Sequence, residues 1–195
     1  MDGLVQIDQQ ISLWINQHNP AALDGFWSFI SGTRVWFPLY GLLGGVIIWK
    51  LGWKRGLAVI VTLLVGIVLS DQLANLVKDG VMRLRPCRDP WMLEHGVRCP
   101  DGVIGGMYSF FSGHASNVFG FAAGSWACLQ LNDPKGRKYG IYGILIMIWA
   151  ALISLSRVML AAHYLGDILV GSLFGLALGY ALARLAHWAM VKARL

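Results

Sequence analysis

Five apolar stretches, at 35–49, 56–77, 114–131, 139–156 and 164–186, restrict this chain more than any other feature. Each approaches the roughly 20 residues that a helix needs to cross the hydrocarbon of a bilayer. Charge that would solvate them is scarce. Asp, Glu, Lys and Arg make up 13% of the 195 residues, whereas a soluble domain carries about a quarter. A soluble bundle fits this composition poorly. The expected fold is all-α, a polytopic transmembrane helical bundle of about five spanning helices, forming one domain over residues 1–195.

Trp36 and Trp49 bracket the first stretch as interface anchors do. Ahead of it, residues 3–17 and 21–30 mix apolar and polar side chains at helical spacing on either side of Asn19-Pro20. Neither is apolar enough to span, so residues 1–34 are expected to form interfacial helices. The opening MDGLVQIDQQ has no basic n-region, so the first membrane helix is expected to act as an uncleaved signal. No internal repeat or low-complexity tract is visible. Gly171, Gly175 and Gly179 recur every fourth residue on the last stretch. This spacing lets another helix approach closely and does not make a nucleotide loop.

The net charge of +6 has an ordinary source in basic loops on the cytoplasmic side, and it also suits an anionic substrate. Lys50, Lys54, Arg55, Lys135, Arg137, Lys138, Arg184, Lys192 and Arg194 fall on one side if the N-terminus is outside. Of the basic residues left on the other side, all but Arg34 lie in or near one polar cluster. The topology expected is N-out and C-in, with the loop at 79–113 and the turn at 157–163 outside. Cys87 and Cys99 share that loop, and Cys128 lies in an apolar stretch. In an oxidising compartment a Cys87–Cys99 disulfide would contribute about 3 kcal/mol by loop closure. Zinc held by Cys87, Cys99 and His95 is the poorer reading because paired ligand spacing is missing.

Three polar clusters sit at the outer ends of apolar stretches, where ionisable groups are expensive and face a bundle interior or a water-filled cavity. The first is Lys78-x6-Arg85-Pro86, with Asp71, Asn75 and Lys78 making a polar stripe at i, i+4 and i+7. An Arg fork and a Lys point charge suit phosphate oxygens; in isolation the pair reads as a juxtamembrane basic patch. The second is Ser112-Gly113-His114 at a helix start. Amides there bind phosphate well and His114 is placed as a general acid, although Ser112 alone is an ordinary N-cap. The third is Ser156-Arg157-x5-His163-x3-Asp167. Four residues apart on a helix, His163 and Asp167 share a face. The carboxylate then fixes the tautomer and leaves the other ring nitrogen free to attack.

In order and spacing these clusters resemble the signature motifs of the type 2 phosphatidic-acid phosphatase superfamily, which also holds vanadium haloperoxidases and glucose-6-phosphatase. The pattern is KxxxxxxRP, PSGH and SRxxxxxHxxxD, and only Phe111 departs from it, standing where proline is usual. The resemblance implies His163 as a nucleophile forming a phosphohistidine, Asp167 as its orienting carboxylate and His114 as the acid for the leaving group. It implies Lys78, Arg85, Ser112, Gly113 and Arg157 as phosphate ligands, and no metal or cofactor. The expected partners are membrane lipids and a lipid phosphate substrate, with no nucleic acid and no obligate protein partner.

A small member with an outward site looks like an undecaprenyl-pyrophosphate phosphatase of a bacterial inner membrane. Phosphatidylglycerophosphate, phosphatidate and lipid A phosphates are the alternative substrates. A vanadate-dependent haloperoxidase and a non-enzymatic lipid-binding protein are the rivals of another class. Arg83, Arg88 and Arg98 read as solvated loop charge, His18 and His187 as surface residues, and Trp91 and Tyr108 as interface or loop-packing aromatics.

Overall fold

The structure, a computed structural model, describes residues 2–100 and 105–195. Residues 101–104 of the expected outer loop lie outside the described residues. Helix α1 (Asp2–His18) leads through a 3-10 turn at Ala21–Leu23 into α2 (Asp24–Ser31). A second turn, Thr33–Trp36, starts α3 (Phe37–Leu51), and α4 (Trp53–Val81) follows. The outer loop carries a turn at Pro86–Arg88 and the short α5 (Pro90–Glu94). The chain then forms α6 (Gly113–Asn132), α7 (Gly140–Met159) and α8 (Leu165–Lys192). The described residues contain only an isolated bridge between Leu84 and Tyr108 and no strand.

Among the described residues, three helices, α4, α7 and α8, are long and apolar enough to cross a membrane. Helix α3 has 15 residues, about 22 Å at the helical rise and short of a full crossing by itself. Helix α6 fails the same measure for a different reason. It is the central helix, packed against α4, α7 and α8, so it has little lipid to face, and Ala, Gly and Ser recur along it. Helix α4 runs to Val81, past the expected end at residue 77. Lys78 and Asp79 look like a terminus in the sequence, yet the helix continues through them, with Asp71 and Asn75 exposed, Lys78 half-buried and Asp71 accepting from Asn117 on α6.

The glycine spacing on α8 sets the distance to α6. A Cβ on Gly171 would lie 2.5 Å from the Ser112 carbonyl oxygen. On Gly175 and Gly179 it would overlap the carbonyl oxygens of Ser116 and Gly120. Three successive turns thus rest on backbone, which only glycine permits. At the far end of the bundle, Arg55 donates to the carbonyls of Asn132 and Leu195, and Arg137 donates to that of Lys50. The basic residues flanking the helices gather there, opposite the polar clusters.

The first helix is more than an interfacial strip. Its apolar side, with Leu4, Ile7, Ile11 and Trp14, is exposed. Its polar side docks onto the bundle: Asn16 donates to the Met159 carbonyl at 2.8 Å, and Ser12 Oγ accepts from the Leu165 amide at 2.8 Å. The helix thus has its polar face turned to protein and its apolar face outward.

Candidate active site

The site gathers where α4 and α7 end and α6 and α8 begin. Ser112 caps α6, its Oγ accepting from the Ala115 amide at 3.3 Å. Its own amide donates to the Asp167 carbonyl at 3.1 Å. The Ser112 amide expected to meet phosphate is therefore already engaged. The Gly113 and His114 amides, first in the helix, have no intrahelical acceptor. A Cβ at Gly113 would lie 3.7 Å from Lys78 Nζ and 3.6 Å from Asp71 Oδ1, so the missing side chain brings the helix start up to the end of α4. Asp71 accepts from Asn117 at 2.7 Å, and Lys78 Nζ stands 3.4 Å from Asn75 Oδ1.

Arg85 is buried, 8% exposed, and donates through Nη1 to the Ala162 carbonyl at 2.8 Å. Burial lowers its pKa below the usual guanidinium value, and the Asp167 charge opposes that shift. The same Nη1 lies 3.4 Å from His163 Nε2. Arg157 donates to Ser31 Oγ. The Nε atoms of both arginines are buried without a protein acceptor. Two such donors at the same end of the bundle suit an oxyanion.

The turn from α7 to α8 presents the histidine. Ala161 sits at φ 50°, a left-handed conformation that costs a non-glycine residue about 1–2 kcal/mol. With it the chain reverses so that the Arg157 carbonyl accepts both the Ala162 and the His163 amides. His163 is 2% exposed, with Nδ1 3.4 Å from Asp167 Oδ2. Burial pushes its pKa down to about 4, against the pull of Asp167, so the ring is neutral near pH 7. With Nδ1–H directed at Asp167, Nε2 keeps its lone pair on the side of Arg85. His114 lies within electrostatic range of His163, Arg157 and Arg85.

Two cavities flank this centre. One of about 530 Å³ is polar, lined by Asn75, Lys78, Asp79, Arg85 and Tyr108. The other, about 380 Å³, is apolar and runs between α3, α4 and α6 past Phe37, Tyr40, Leu63, Ile67 and Phe121. A small hollow beside His114 shares Thr33, Tyr40 and Asn117 with the apolar one.

Lys78, Arg85, Gly113, His114, Arg157, His163 and Asp167 thus stand at one end of the bundle. Phe111, in the place of the usual proline, is buried with its ring centroid 5.0 Å from that of Phe174 on α8. Cys87 is bonded to Cys99, Cys128 is free and buried, and the described residues hold no cluster of three metal-binding side chains. Two arginines read as solvated charge are in fact paired: Arg98 with Asp24 at 2.8 Å, and Arg83 with Asp8 at 2.8 Å and Asp167 at 2.9 Å. Asp8 and Ser31 reach the site with no motif to announce them. For Asp8 the available signal was the stripe Asp8, Ser12 and Asn16, which recurs every fourth residue along the first helix.

The profile of the PAP2 superfamily matches residues 58–190. The chain belongs to the PAP2 superfamily. It is an integral membrane phosphatase, a hydrolase of the PAP2 kind. The chain is 31% identical to a lipid A 4'-phosphatase of Bacteroides thetaiotaomicron over 188 residues, covering 96% of this chain and 80% of that one. It is 26% identical to a lipid A 4'-phosphatase of Porphyromonas gingivalis over 181 residues, covering 92% and 73%. Among solved structures, a transmembrane PAP2 type phosphatidylglycerolphosphate phosphatase from Bacillus subtilis superposes with a TM-score of 0.69 at 22% identity, covering 94% of this chain and 86% of that one. This last likeness is one of fold.

Proposed function

We propose that this PAP2 phosphatase removes a phosphate monoester from a sugar-bearing membrane lipid of the lipid A type, through a phosphohistidine on His163. The similarity to lipid A 4'-phosphatases across nearly the whole chain carries this reading. Undecaprenyl pyrophosphate, first in the sequence reading, becomes the second candidate. The two cavities support the same order. A polar hollow beside Lys78 and Arg85 suits a hydroxyl-rich headgroup, and the apolar groove suits an acyl chain. A prenyl diphosphate has no sugar for the polar side.

In the proposed reaction His163 Nε2 attacks phosphorus while the bond from phosphorus to the lipid oxygen breaks. His114 gives its proton to the departing alkoxide. Arg85, Arg157, Lys78 and the amides of Gly113 and His114 hold the charge that spreads over the phosphoryl oxygens. Asp167 holds the Nδ1 proton and stabilises the cationic ring that forms. Water then attacks the phosphohistidine and passes a proton to His114, releasing inorganic phosphate and restoring both histidines. The basic residues at the opposite ends of the helices support a site on the periplasmic face of an inner membrane.

The test is phosphate release in detergent from 1,4'-bisphosphorylated lipid A, undecaprenyl diphosphate, phosphatidylglycerophosphate and phosphatidate. The expected result is the highest kcat/KM on lipid A, with loss of the 4'-phosphate. Preference for the prenyl diphosphate would return the assignment to the second candidate.

A further inference from the structure

A strap from the far N-terminal end of the chain holds the carboxylate behind His163. Asp167 has no exposed side-chain surface and uses both oxygens. Oδ2 accepts from the Tyr164 amide at 3.1 Å and faces His163 Nδ1. Oδ1 is 2.9 Å from Arg83 Nη1. That same Nη1 lies 2.8 Å from Asp8 Oδ2 on α1, and the guanidinium carbon sits 3.7 Å over the Tyr164 ring. Asp8 is fixed in turn, because its Oδ1 accepts from the Gly166 amide at 2.8 Å. A side chain at Gly166 would strike that carboxylate, the nearest atom 2.6 Å from its Cβ.

We propose that Arg83, clamped by Asp8, is a positioning residue for this reaction: it fixes the Asp167 carboxylate that orients His163. The proposal rests on His163 being the nucleophile. The physical ground is directional. A buried carboxylate between two donors has little freedom to rotate, and a planar guanidinium bonded to two carboxylates and stacked on a ring has little freedom itself. Removing Arg83 leaves a buried charge short of a partner, and Asp167 then turns or takes up water instead of holding the imidazole in line. Arg83 is two residues from the motif arginine but serves the opposite side of the histidine. Arg85 faces Nε2, whereas Arg83 reaches the ring only through Asp167.

The experiment compares purified full-length protein with Arg83→Met, Arg83→Lys, Asp8→Asn and His163→Ala, on whichever lipid the phosphate-release panel turns over. Arg83→Met is expected to lower kcat on the order of 10–100-fold, by analogy with loss of the outer partner that orients a metal-ligating histidine. KM and competitive inhibition by inorganic phosphate should stay near the parent values. Arg83→Lys should recover part of kcat and Asp8→Asn should fall between. Unchanged kcat in Arg83→Met with His163→Ala inactive overturns the positioning role and leaves the nucleophile standing. A rise in KM and in the phosphate inhibition constant at constant kcat overturns it too, making Arg83 a phosphate ligand. Full activity in His163→Ala removes the nucleophile reading itself. If Arg83→Met does not fold, the kcat of Arg83→Lys and Asp8→Asn decides, and parent values in both overturn the proposal.

Discussion

Substituting Gly175 by alanine should loosen the seam that carries the site. In the folded protein the new Cβ would overlap the Ser116 carbonyl oxygen and lie 2.9 Å from both its carbon and the Ser116 Cα. These atoms are helix backbone and cannot rotate away, so α6 and α8 must part. Restoring ordinary contact of about 3.5–4.0 Å to that oxygen takes more than an ångström of separation. Overpacking of this kind costs about 1–3 kcal/mol, which lowers the melting temperature by about 2–4 °C per kcal/mol for a chain of this length.

The catalytic effect should be the larger one. Helix α6 carries His114 and α8 carries Asp167, and the Ser112 amide is bonded to the Asp167 carbonyl across the seam. Misplacement of reacting groups by about an ångström costs on the order of 100-fold in rate. Gly41→Ala is the control, because nothing lies within 4 Å of its Cβ, and it should be neutral or slightly stabilising. Thermal unfolding and single-turnover phosphate release, run on both variants in the same detergent, measure the two effects. Parent-like melting and turnover in Gly175→Ala would refute the claim that the close approach positions the site.

Two further outcomes follow from the loop and from the histidine. Cys87 and Cys99 close a loop of 12 residues, so serine at both positions, or reduction, should remove about 3 kcal/mol of loop stability, read as faster proteolysis within 82–112. The His163 pKa is held near 4 by burial, below its ordinary 6.5. Between those values the unfolded chain binds a proton that the folded ring does not, so stability should rise with pH across that window. The acid limb of kcat/KM should lie below 6.5, and a limb above 7 would contradict the burial of this ring.

Much of the fold was legible because lipid is a severe solvent. It demands long apolar helices, and the five stretches correspond in order to α3, α4, α6, α7 and α8. The boundaries were harder. Lys78 resembles a terminus when hydropathy alone is weighed, yet α4 continues through it to Val81. The site residues were expected for a different reason: each cluster alone reads as an ordinary cap or basic patch, and it is their order and spacing together that resemble the superfamily's motifs. What stayed hidden depends on contacts between distant segments. Asp8 lies 75 residues from Arg83, and no local pattern reports that the two touch. Ser112 shows the converse: its amide was assigned to phosphate from helix-start geometry, and the neighbouring helix had already taken it.

The most direct test of the account is the chemical state of His163 during turnover. Enzyme quenched in alkali within the first turnover on its lipid substrate, then digested and analysed by mass spectrometry, should carry phosphate on the peptide containing His163. The label should vanish when the sample is acidified, as phosphoramidates do. Phosphate on another residue, or undiminished phosphate release from His163→Ala, would contradict the account.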